Sequence, residues 1–305
     1  MRKFLLYLLY VTIGVSFVDV CCRFFFKHIY TEENFAQTAL IREFKYLNAR
    51  PAECIILGAS TAHHNYDCQI FEDSLECTVF NYGMDGTGAY YHYLCLKKSL
   101  ENGPVKYVVY DLANSLLQDS WNKDRISKEA PLYWIDNDVQ EVTDEIAGKG
   151  HSILMYSSLY QNNSPLHSIT NSLLHNTHSN GYEPLPYTGK PYKIKGNEEK
   201  VITPYHPDSI PIKYFEKIED LCKKNNILLV VSLSPVLVKY MTESFNSFIT
   251  NYCKEKNIYI INYRHDPRIV NDLHYFKDGT HLNELGAEKF TKLLVSDIKK
   301  IEKNK

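Results

Sequence analysis

The chain predicts an α/β fold in which a parallel sheet is covered by helices on both faces and one long insertion interrupts the series. Three observations lead there. Short apolar runs recur at 54–57, 78–81, 105–111, 227–233 and 258–262. Between them stand stretches with helical periodicity, at 88–100, 214–225, 238–256 and 284–301. The rhythm breaks once, over 115–205. Near-continuous apolar strands alternating with helices imply parallel pairing buried on both sides. At 305 residues, 44% of them apolar, the chain can fill the core of one large α/β domain plus an insertion.

The chain begins with an almost unbroken apolar run from Phe4 to Val18 behind Arg2 and Lys3. That pattern suits a membrane anchor with a cytoplasmic N-terminus, or the core of a signal peptide. Asp19 and Arg23 would lie near its outer end, where long side chains snorkel, and Phe24, Phe25 and Phe26 would form an aromatic belt. No small-x-small cleavage site follows, and Val20 before Cys21 suits a lipoprotein site poorly. We therefore expect an uncleaved anchor or signal segment over 1–28, a stem over 29–51 and a globular domain over 52–305. Within that domain the first strand, 54–57, runs into Gly58-Ala59-Ser60, where glycine permits a sharp turn into a helix. The second, 78–81, runs into the glycine-rich stretch 81–88, and the third, 105–111, into Leu112-Ala113-Asn114. The interruption at 115–205 is rich in Asn, Ser, Tyr, His and Pro, with turn signals at Asn180-Gly181 and 188–191. So long a connection reads as a lid or binding insertion. Asn283 is a natural N-cap for the closing helix.

Composition excludes several roles. A formal charge of −2 leaves no basic footprint for nucleic acid, and the lysines of 299–305 read as a solvated helix end. The eight cysteines include no CxxC, so a cysteine zinc site is not expected; Cys68 and Cys77 are the one plausible local bridge. His167, His175 and His178 lack a carboxylate or cysteine at ligand spacing, so neither metal nor cofactor is expected.

The chemistry-bearing residues sit where such a sheet gathers ligands, outside the carboxyl ends of its strands. Asp278 stands three residues before His281 on one short turn. From there it can hold the histidine Nδ1 and leave Nε2 to act as a base, which a serine needs because its hydroxyl barely ionises. Ser60 is the candidate nucleophile; the plainer reading is an N-cap serine. Gly83 would let a backbone N–H approach a substrate oxygen, and Asn114 would donate a side-chain hydrogen bond to it; the plainer readings are a strand-to-helix loop and a turn-forming asparagine. His63 and His64 read as helix-start polar residues facing water, although they follow Ser60 closely enough to line a pocket. Tyr156, Tyr160, Tyr182, Tyr187 and Tyr192 either stack on sugar rings or form a small core.

These landmarks in this order resemble the SGNH (GDSL-like) hydrolase superfamily over roughly residues 52–300, with Ser60, Gly83, Asn114 and the Asp278–His281 pair in its four blocks. Ala59, Leu112 and Ser115 depart from the usual residues of that pattern. The resemblance implies a flavodoxin-like three-layer α/β/α sandwich and a Ser60–His281–Asp278 triad. It also implies an oxyanion hole of the Ser60 and Gly83 amides with Asn114, and no cofactor. The anchor and long insertion look most like the membrane-tethered branch. That likeness implies an extracytoplasmic esterase or O-acyltransferase acting on acyl, above all acetyl, groups of a bacterial cell-envelope polysaccharide, with an acylated carbohydrate as partner. The rival readings are a lipid or lysophospholipid esterase and a non-catalytic envelope scaffold.

Overall fold

Five parallel strands form one sheet in the order β2-β1-β3-β4-β5. The computed structural model describes residues 1–31, 51–117, 136–148, 157–161, 180–193, 205–237 and 242–304. Along the chain lie α1 (Arg2–Thr31), β1 (Cys54–Leu57), α2 (Ser60–Asn65), α3 (Cys68–Leu75), β2 (Val79–Asn81), α4 (Ala89–Asn102) and β3 (Tyr107–Asp111). A 3-10 turn (Asn114–Leu117), α5 (Asn137–Ala147), α6 (Ser158–Gln161), α7 (Ser209–Lys224), β4 (Leu228–Leu233), α8 (Thr242–Lys256) and β5 (Tyr259–Asn262) follow. The last elements are α9 (Pro267–Val270), a second 3-10 turn (Leu273–Tyr275) and α10 (Glu284–Lys303).

The strand order is the flavodoxin-like one, and the predicted α/β class holds. The chain leaves β1 for β2 on one side and then returns to β3 on the other. The carboxyl ends of β1 and β3 therefore flank the switch point where ligands gather in such sheets. The four residues of β1 are fully buried, as a central strand covered on both faces requires. One face packs on α2, α3 and α10, with Ile56, Val109, Tyr66, Phe71, Phe290 and Leu294 in a common core. The Phe290 ring lies edge-on to Tyr66 at 5.1 Å and to Tyr263 at 5.5 Å. On the other side α4 packs on α7 and α7 on β4, and Tyr110 of β3 meets Phe215 of α7 at 5.6 Å.

The chain divides into two compact units, one of Met1–Tyr46 with Lys123–Thr177 and one of Leu47–Asn122 with His178–Lys305. The insertion read at 115–205 is thus shared, and its last part belongs to the α/β unit. In the smaller unit, α1 contains a 24-residue span, Arg2–Phe25, long and apolar enough to cross a membrane. Asp19 is not left to snorkel: its Oδ1 accepts hydrogen bonds from Ser157 Oγ at 2.7 Å and the Leu159 amide at 2.9 Å, at the start of α6. All eight cysteines are free thiols, so Cys68 and Cys77 form no bridge.

Candidate active site

The turn after β1 is built around Gly58. Its φ is +149°, and an added Cβ would lie 2.6 Å from the Ala62 Cβ and 2.9 Å from the Asp111 carbonyl oxygen. Only glycine lets the chain enter α2 this tightly against β3. Beneath the turn, the buried His92 ring donates from Nε2 to the Gly58 carbonyl at 2.8 Å and accepts at Nδ1 from the Tyr110 hydroxyl at 2.9 Å. Burial pushes this imidazole down to about 3, so it is neutral, with its proton on Nε2. α2 opens with Ser60 as its first residue; the N-cap position belongs to Ala59, which makes no side-chain cap. Ser60 is therefore not the capping serine of the plainer reading.

The second half of the site is the turn before α10. The Asp278 Oδ1 accepts from the Thr280 and His281 amides, both at 2.8 Å, closing a tight turn that brings the His281 ring back over the carboxylate. His281 Nδ1 then donates to Asp278 Oδ2 at 2.9 Å. Asn283 caps α10 through the amides of Leu285 and Gly286, as its sequence position predicts. The Leu282 amide donates to the Asn65 Oδ1 at 3.0 Å, which ties this turn to the end of α2.

The two halves meet. Ser60 Oγ lies 2.8 Å from His281 Nε2, and the serine donates because Nδ1 holds the ring proton. Burial alone would raise the Asp278 carboxyl, but the His281 ring and the Thr280 and His281 amides outweigh it and hold the group well below the usual carboxylate range. An ionised acid, an oriented imidazole and a hydroxyl stand in line, the arrangement that deprotonates a serine as it attacks.

The two oxyanion candidates fare differently. Gly83 stands where predicted, against α2: a Cβ there would lie 2.3 Å from the His63 nitrogen. Its N–H, however, donates to the Asn81 Oδ1 at 2.7 Å. Gly83 thus serves close packing, and its expected role as an oxyanion donor is corrected, because an asparagine two residues back has taken the amide. Asn114 begins the 3-10 turn just beyond β3, and its side chain lies outside the described residues. Tyr156, His167, His175 and His178 also lie outside them.

Residues 180–193 cross the same face as an extended strap. Asn180 O accepts from the Asn81 amide at 2.8 Å, the Glu183 amide donates to His63 O at 3.1 Å, and Leu185 O accepts from the Glu284 amide at 2.8 Å. Beyond the strap a groove of about 280 Å³ borders the Asp278 turn, lined among others by Lys190, Tyr192, Lys193 and Lys277. His63 and His64 do not face water, as the sequence suggests. His64 is 7% exposed, and both rings turn toward Asp85 and Glu183. Asp85, Glu183, His92 and Asn81 escape sequence reasoning. Only Asn81 carried a signal, an asparagine placed to take the amide two residues on.

No family model matches the chain, and no curated protein matches it. Among solved structures it is similar to a provisionally assigned acylhydrolase from Bacteroides fragilis, with TM-score 0.42 and 14% identity over 86% of this chain and 97% of that one. It is also similar to a GDSL-like lipase from Bacteroides thetaiotaomicron, with TM-score 0.43 and 15% identity over 87% of this chain and all of that one.

Proposed function

We propose that this chain is an SGNH-type serine ester hydrolase or O-acyltransferase. The observation that carries the reading is the continuous Ser60–His281–Asp278 line, with separations of 2.8 and 2.9 Å. Ser60 Oγ attacks an ester carbonyl while His281 Nε2 takes its proton, and Asp278 stabilises the imidazolium. His281 then returns that proton to the leaving alkoxide, and the acyl-enzyme passes to water or to an acceptor hydroxyl. The tetrahedral oxyanion is held by the Ser60 amide, a first-turn N–H without an intrahelical acceptor, and by the Asn114 side chain.

The substrate we propose is an acylated, above all acetylated, cell-envelope polysaccharide, reached from an N-terminal anchor that holds the catalytic unit outside the cytoplasm. What supports it is the apolar span of α1 and the lysine- and tyrosine-lined groove beside the Asp278 turn, which suits hydroxyl-rich or anionic chains better than acyl tails. The test compares aryl acetate, acetylated glycan and lysophospholipid. Ser60→Ala and His281→Ala should each cut aryl acetate turnover by roughly 10³-fold or more. Replacing Tyr187 and Tyr192 together should slow the glycan reaction far more than the aryl one. Wild-type turnover in Ser60→Ala would end the mechanism, and preference for lysophospholipid would replace the glycan with a lipid.

A further inference from the structure

Beside the Ser60–His281 pair lies a second cluster that the mechanism above does not use. His63 Nδ1 and His64 Nε2 converge on a single oxygen, Asp85 Oδ1, at 3.1 and 3.3 Å. The donor atoms of the three residues lie within 4.8 Å of one another. The remaining ring nitrogens are also occupied: His64 Nδ1 lies 2.7 Å from the Glu183 carbonyl, and His63 Nε2 lies 3.3 Å from the Glu183 carboxylate.

This arrangement has a proton problem. A carbonyl only accepts, so His64 Nδ1 must carry a hydrogen, and a neutral ring then turns a lone pair from Nε2 toward the Asp85 oxygen. His63 faces a carboxylate oxygen at each nitrogen and meets the same conflict. A neutral His63 ring can donate to only one of its two carboxylate contacts, and the two rings stack 4.5 Å apart. A divalent ion on the two inner nitrogens and the carboxylate oxygen removes both conflicts at once. Ligands 2.0–2.1 Å from a tetrahedral zinc stand about 3.3–3.4 Å apart; Asp85 Oδ1 lies 3.3 Å from His64 Nε2 and 3.1 Å from His63 Nδ1, so only a small opening on the His63 side admits the ion. Glu183 then does for both histidines what outer partners do at zinc sites, fixing ring orientation through the distal nitrogen.

We propose that His63 Nδ1, His64 Nε2 and Asp85 Oδ1 bind a divalent transition cation of the zinc class, oriented by Glu183 and leaving a fourth coordination position for an oxygen ligand. The His64 ring lies 5.8 Å from the His281 ring, so the site adjoins the proposed nucleophile and base. The open position offers an electrophilic contact for a hydroxyl or carboxylate oxygen of a substrate. The three ligands and their outer partner make the site independent of whether Ser60 is a nucleophile.

The test is equilibrium dialysis of the full chain, untagged and in mild detergent, against Zn²⁺, with visible absorption after Co²⁺ loading. Wild type and Ser60→Ala should each bind one ion per chain and give the intense bands of tetrahedral Co²⁺. Asp85→Asn and His64→Gln should each weaken binding by more than about 100-fold, at least the loss typical of outer-shell changes. Asp85 sits at the protein surface, with a side chain 60% exposed, so Asp85→Asn decides alone if His64→Gln fails to fold. Wild type that binds no ion, or Asp85→Asn that binds as tightly as wild type, overturns the proposal. Because Ser60→Ala must bind normally, loss of esterase activity and loss of metal are read separately.

Discussion

Removing the titrating ring beneath the Gly58 turn should change how acid destabilises the protein. His92 is fully buried, bridges Gly58 and Tyr110, and is pushed by burial down to about 3. In the unfolded chain its pKa returns to about 6.5. Between those values the unfolded state holds a proton that the native state lacks, so stability is fully present above about pH 6.5 and drains away as pH falls toward 3. At pH 4.5 the unfolded ring is two pH units below its own pKa, and about 1.4 kcal/mol per unit makes this contribution about 3 kcal/mol. In His92→Gln the amide can still donate to the Gly58 carbonyl but loses the imidazole's fit to Tyr110. We expect a cost of about 1–3 kcal/mol at pH 7.5. By pH 4.5 that gap should close or reverse, because glutamine does not titrate and the other groups are common to both proteins. Urea unfolding of the full chain in mild detergent, followed by far-UV circular dichroism at pH 7.5, 6 and 4.5, measures it. A gap that stays constant across the range would refute a neutral, buried His92.

Asn114→Ala should lower kcat by roughly 10²-fold with KM nearly unchanged, because an oxyanion donor acts in the transition state; steady-state kinetics on an aryl acetate separate this from a rise in KM alone. Gly181→Ala should dislodge the strap: φ is +87° and a Cβ would fall 1.8 Å from the Asn81 carbonyl oxygen. Faster proteolysis within 180–193, with the sheet intact by circular dichroism, is the expected reading. For topology, a reporter active only outside the cytoplasm and fused after Lys305 should give signal, and the protein should resist carbonate extraction; a soluble cytoplasmic product would contradict the anchor.

The sheet was legible because its strands are short apolar runs, buried throughout in the interior strands as at Cys54–Leu57 and only partly in the edge strand Tyr259–Asn262. The Asp278–His281 turn was legible because its geometry is local, closed by amides two and three residues on. α3 was missed because its 8 residues are too few for a helical period to stand out; it is held by Phe71 in the core and by an Asp67 cap on the Gln69 amide. Gly83 was misassigned because the competitor for its amide, Asn81, was read only as a strand end. The His63–His64–Asp85–Glu183 cluster spans residues 63 to 183, and no spacing rule links a helix start to a strap so far along the chain. The turn at Asn180-Gly181 was visible, but its pairing with Asn81 was not, since a one-dimensional pattern carries no partner.

The most direct test of the central claim is covalent labelling with a fluorophosphonate, followed by peptide mapping. A Ser60 activated by His281 should take one label per chain on the peptide carrying Ser60, none in Ser60→Ala, and label roughly 10³-fold more slowly in His281→Ala. Label on another residue, or a Ser60 rate indifferent to His281, would contradict the account.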